Sequence, residues 1–96
     1  MIIYKYEVKA EAVNKIKIPI GGKILTVQMQ NNIPQMWVAC DPSREVITRR
    51  FVVIPTGKEV NLPEDGESIQ LSYIGTFQLE GGALVFHLFE LVPTLH

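Results

Sequence analysis

Ninety-six residues with a formal charge of −1, 47% hydrophobic and 20% charged side chains, leave room for one domain with an ordinary core. Disorder is excluded by that apolar content. Nine Lys and Arg against ten Asp and Glu give no basic excess, so extended nucleic-acid binding is not expected. A single cysteine, Cys40, rules out an internal disulfide and any multi-cysteine zinc site.

Apolar residues recur with period two along most of the chain, the signature of strands rather than helices. Residues 2–8 read as a strand with Tyr4 and Tyr6 on one face and Ile3, Lys5 and Glu7 on the other. Residues 9–12 have helical propensity but are too few for a stable helix. Residues 13–18 alternate Ile16 and Ile18 against Lys15 and Lys17. Pro19 then excludes a central position in a sheet, and Gly21-Gly22 supplies a tight turn.

Residues 23–30 and 33–40 flank Asn31-Asn32, a two-residue hairpin turn, since asparagine tolerates the left-handed region. That turn predicts Leu25, Val27 and Met29 on a core face with Pro34, Met36, Val38 and Cys40. Thr26, Gln28, Gln35 and Trp37 take the other face. Asp41-Pro42-Ser43-Arg44 is a turn by composition. Residues 46–55 form a strand that divides Arg49, Phe51 and Val53 from Arg50, Val52 and Ile54. Residues 56–67 are the longest expected loop, with four acidic residues (Glu59, Glu64, Asp65 and Glu67) and a short edge strand at Val60 and Leu62.

Residues 69–79 and 83–91 make a second hairpin whose turn uses Glu80-Gly81 or Gly81-Gly82, both giving the same face assignment. It places Phe77 and Leu79 with Leu84, Phe86 and Leu88, and Thr76 and Gln78 with Val85, His87 and Phe89. Gly75 inside a strand signals a bulge or a close backbone approach. The expected fold is therefore all-β, with six or seven mostly antiparallel strands in a compact barrel-like or sandwich arrangement and little or no helix. The last strand is apolar on both faces, where a one-sided sheet alternates. A second layer or a partner subunit is needed to cover it, so a homo-oligomer is expected.

No apolar run approaches the about 20 residues of a membrane helix. No signal peptide is evident after Met1, which places the expected location in the cytoplasm. No catalytic set stands out. Cys40 ends a core face and is expected to be a small buried hydrophobe. The serines lack a nucleophile-elbow context, and the paired glycines lack a phosphate-loop frame. Two histidines, one of them the last residue, do not make a metal site. No cofactor is implied.

For anion binding the best cations are Arg49 and Arg50, which as strand neighbours point to opposite faces. Trp37 offers a stacking surface with Gln28 and Gln35 beside it, and Thr76 and His87 form a polar strip on an apolar hairpin. The competing reading is a solvated charged face and a tryptophan packed on its neighbours.

Several stretches also carry a resemblance. They are Ile3-Tyr4-Lys5-Tyr6, residues 19–30, Ile33-Pro34 with Trp37, residues 73–79, and Gly81-Gly82 through His87. Together the chain resembles a family of short bacteriophage and prophage proteins of uncharacterised function. It departs from that pattern at Asn31-Asn32, where Asn-Gly is expected, and in a longer 56–68 loop and 93–96 tail. The resemblance implies a phage accessory protein without supplying catalytic residues. The expected function is non-enzymatic binding: a homo-oligomer that sequesters a small anionic ligand, such as a signalling nucleotide of host defence. Trp37, Arg49 or Arg50, Thr76 and His87 are its expected contacts. The alternatives are a module that inhibits a host protein through an edge strand or the acidic loop, and a minor structural or assembly protein of the phage particle.

Overall fold

Alternation sorts the side chains of each strand onto two faces, and the computed structural model, which describes residues 1–61 and 69–93, shows what each face meets. Seven strands form: β1 (Ile2–Glu7), β2 (Val13–Pro19), β3 (Lys23–Gln30), β4 (Ile33–Cys40), β5 (Val46–Pro55), β6 (Ile69–Leu79) and β7 (Leu84–Pro93). They pair antiparallel in two sheets, ordered β1-β4-β3 and β2-β5-β7-β6. The sheets pack as an open sandwich rather than a closed barrel. Val60 lies outside any strand, and Leu62 falls outside the described residues. No helix among the described residues is long and apolar enough to cross a membrane.

The core lies between the layers. Met36 and Val38 of β4 meet Phe51 of β5 and Leu88 of β7, and all four are fully buried. Phe77 and Phe86 stack across β6 and β7 with ring centroids 5.5 Å apart. Cys40 is buried in this cluster, as the alternation predicts.

Local chemistry fixes the corners. Asn31 and Asn32 adopt φ of 51° and 64°, the left-handed pair that a two-residue hairpin turn requires. The bend after β1 is closed by Asn14, which accepts from the Lys9 N–H at 2.9 Å and donates to the Lys9 carbonyl at 3.0 Å. Pro19 is tolerated because β2 is an edge strand. Between β2 and β3 the chain changes sheet at Gly22, where a Cβ would lie 2.7 Å from Ile18 Cγ2 and 3.1 Å from Val38 Cγ1.

Two irregularities change the pattern. The β3–β4 ladder slips between Ile24 and Thr26, so Ile24, not Leu25, stands opposite Val38 and packs on the core. Leu25 is 44% exposed, which corrects the core position expected for it. In β6 the ladder slips between Tyr73 and Gly75. Gly75 also lies so close to β3 that a Cβ there would be 2.7 Å from Val27 Cγ1. Both readings of that glycine therefore hold, and β3 and β6 meet at this point.

β7, apolar on both faces, sits inside its sheet between β5 and β6. Its even-numbered residues Phe86 and Leu88 face the core. On the opposite face Leu91 and Val52 are 2% and 0% exposed, while Leu71 and Tyr73 of β6 are 38% and 59% exposed.

Candidate functional site

The five residues expected to form one site do not converge. Thr76 and His87 do meet, as cross-strand partners on the outer face of the β2-β5-β7-β6 sheet. His87 Nδ1 lies 3.0 Å from Thr76 Oγ1, and Nε2 lies 2.7 Å from Thr56 Oγ1. Tyr73 Oη is 2.6 Å from Thr76 Oγ1, and Thr56 Oγ1 is 3.4 Å from the Val85 carbonyl. One proton order satisfies the whole chain. Tyr73 donates to Thr76, Thr76 to Nδ1, Nε2–H to Thr56, and Thr56 to the Val85 carbonyl. These groups are occupied with one another.

Arg50 shares that outer face but stands two cross-strand rows from His87, about 14 Å along the strands, and is itself engaged. Arg49 points to the inner face. Its Nε and Nη2 donate to the two carboxylate oxygens of Glu90 at 2.6 Å each, and its Nη1 donates to the Gly22 carbonyl at 2.5 Å. That clamp neutralises the guanidinium and ties β5 and β7 to the turn before β3. A shallow cleft of about 470 Å³ lies over it, between Gly21-Gly22 and Pro93, with the ion pair in its wall. Trp37 is on the far side of the molecule, on the outer face of the β1-β4-β3 sheet, between Thr26 and Lys5. Within one chain, then, the arginines and the tryptophan cannot grip one nucleotide together with His87.

A larger concavity lies elsewhere. A groove of about 980 Å³ runs between residues 27–29 of β3 and 76–79 of β6, with Asn32 and residues 80–82 at its mouth. Both strands are the terminal strands of their sheets. They approach at Val27 and Gly75, and the groove lies between that point and the hairpin tips. Val27 and Phe77 supply buried apolar surface, while Gln28, Gln78 and Thr76 supply exposed polar groups at the rim. One carboxylate, Glu80, stands at the mouth.

Sequence reasoning identified Thr76, Gln28 and Gln78 as polar members of their strands but did not bring them together. The β3–β6 neighbourhood depends on strand order across the two sheets, and no local pattern carries that information. The one signal available was Gly75, whose missing side chain marks the contact. No group of His, Cys, Asp and Glu able to hold a metal occurs among the described residues.

No curated protein and no solved structure matches the chain. A family model described as a domain of unknown function, DUF7352, matches residues 1–95, and the chain belongs to that family.

Proposed function

We propose that this chain is a non-catalytic binding domain that captures an extended segment of a partner protein in the groove between β3 and β6. The observation that supports this most is that both walls of the groove are sheet edges. An edge strand presents a row of backbone N–H and C=O groups without a ladder partner, ready to pair with an added strand. Added strands alternate their side chains. One set would lie on Val27 and Phe77, and the other would face the amides of Gln28 and Gln78. In the phage setting that the sequence resemblance suggests, the partner is a host protein whose activity is blocked by occupying one of its extended segments. Anion sequestration through Arg49 has less behind it, because that guanidinium is already held by Glu90 and Gly22.

The test uses peptides of about twelve residues selected from a random displayed library, then titrated into the ¹⁵N-labelled protein. Amide shifts confined to residues 26–30 and 75–80, with affinity abolished by N-methylating alternate peptide nitrogens, support strand addition. Failure to select a binder, shifts elsewhere, or indifference to N-methylation overturns it.

A further inference from the structure

Trp37 belongs to neither the groove nor the core, and its surroundings form a site of their own. On the outer face of the β1-β4-β3 sheet, Lys5, Trp37 and Thr26 make one cross-strand row, and Glu7, Gln35 and Gln28 make the next. Trp37 is half-buried in the middle strand. Lys5 reaches across β4 to donate to Gln30 Oε1 at 2.6 Å, which brings its ammonium 6.0 Å from the Trp37 ring centroid. Gln35 is the decisive neighbour. It is only 9% exposed, yet its amide makes no hydrogen bond to any described residue. No buried side-chain nitrogen or oxygen lacks a partner among the described residues. The Gln35 amide therefore reaches the surface, although the residue as a whole is largely buried.

A largely buried residue whose amide bonds to no described residue, on one face with a stacking ring and a cation, matches one class of ligand. We infer that this face binds an adenine nucleotide, with the base stacked on Trp37, its N6/N7 edge read by Gln35 and its phosphate paired with Lys5. An amide matches adenine at that edge in a bidentate pattern, one donor and one acceptor on each side. Stacking on an aromatic side chain supplies affinity that any base can use, so the amide carries the discrimination. Glu7 stands in the Gln35 row and repels phosphate, so the phosphate must leave over the Lys5 row. Binding exchanges the exposed Lys5–Gln30 bond, to a neutral acceptor, for one between two charged groups. Apart from Gln28, which also reaches the groove rim, these residues are separate from those of the proposed peptide groove.

The sole tryptophan makes its own fluorescence the reporter. The intact protein is titrated with AMP, CMP, adenosine and inorganic phosphate. Saturable quenching by AMP is expected, at least tenfold tighter than by CMP. Lys5→Met should weaken AMP about tenfold while leaving adenosine unchanged, and Gln35→Ala should bring AMP down to the level of CMP. Gln78→Lys, which alters only the groove, should leave AMP binding as it was, so this site and the peptide groove fail or stand separately. Lys5 is exposed, so its variant also tests the site if Gln35→Ala does not fold. No saturable response to AMP overturns the inference, as does equal affinity for AMP and CMP or a Lys5→Met protein that binds AMP unchanged.

Discussion

The two sheets use the polar groups of their outer faces differently. On that of β2-β5-β7-β6, which also carries Lys15, Lys17 and Arg50, one cluster is bonded internally, from Tyr73 through Thr76 and His87 to Thr56. That of β1-β4-β3 is polar around one ring, and Gln35 there has no hydrogen-bond partner among the described residues. Both faces carry groups that a sequence search would mark for binding. The difference teaches that hydrogen-bonding capacity already used within the chain holds the fold, whereas capacity held in place and left unused is available to a ligand.

The largest expected effect sets a boundary on that contrast from the inside. Arg49 and Glu90 are 19% and 12% exposed, and removing either leaves a largely desolvated charge. Arg49→Ala or Glu90→Ala should each cost about 2–3 kcal/mol in urea unfolding, allowing for the partial exposure. The double replacement Arg49→Met with Glu90→Leu should cost less than either single change. A double variant as damaged as the sum of the singles would mean that the pair is not coupled.

Next is the point where the sheets touch. Gly75→Ala should cost about 1–2 kcal/mol, because the new Cβ meets stiff, buried Val27. Val27→Ala placed beside it should recover part of that loss. A neutral Gly75→Ala would show that β3 and β6 part more easily there than their packing implies.

The third pair sharpens the contrast directly. His87→Leu should destabilise by about 1 kcal/mol, since it leaves two threonine hydroxyls without their ring partner. Gln35→Met should stay within about 0.5 kcal/mol of the parent, since no intramolecular bond is lost. Equal costs at the two positions would erase the distinction between the faces.

The smallest effect lies in the turn after β4. Ser43 donates its hydroxyl to Asp41 Oδ1 at 2.6 Å and its backbone N–H at 3.0 Å, which holds the carboxyl below its ordinary 3.8. A depressed folded-state pKa contributes stability that is present above 3.8 and is lost as the pH falls through the lower folded value. Ser43→Ala should move the carboxyl back toward 3.8 in an NMR titration. A carboxyl that titrates unchanged in Ser43→Ala would remove the hydroxyl as the main cause.

Much of the fold was legible because alternation and turn chemistry agree. The ends of β3, β4, β5 and β6 coincide with those read from the pattern, and Asn31-Asn32 sets the register that puts Trp37 beside Gln28 and Gln35. That Thr76 and His87 share a face followed from the second hairpin, while their direct pairing depends on the register, which the turn residues left open. The slip at Leu25 was not legible, because Leu25, Val27 and Met29 alternate without a flaw and Ile24 competes only once the ladder is known. Nor was the Glu90 partner of Arg49, which stands 41 residues away and depends on β5 lying beside β7. Strand order, and with it the groove, is set by connections that cross between layers, and these leave no periodic trace.

Neither layer is a continuous stretch of chain. β1 must wait for β4 while β2 departs to the other sheet, and β5 and β6 are joined only through β7, the last of the described strands. During synthesis the β3–β4 hairpin can close across its two-residue turn, but the larger sheet has no centre until the β7 residues have left the ribosome. Folding is therefore a late, all-or-nothing event governed by distant pairings, on the millisecond-to-second scale typical of such topologies. A chain interrupted before β7 would leave β6 without a neighbour in its sheet, and such a fragment is a substrate for proteases rather than a smaller working domain.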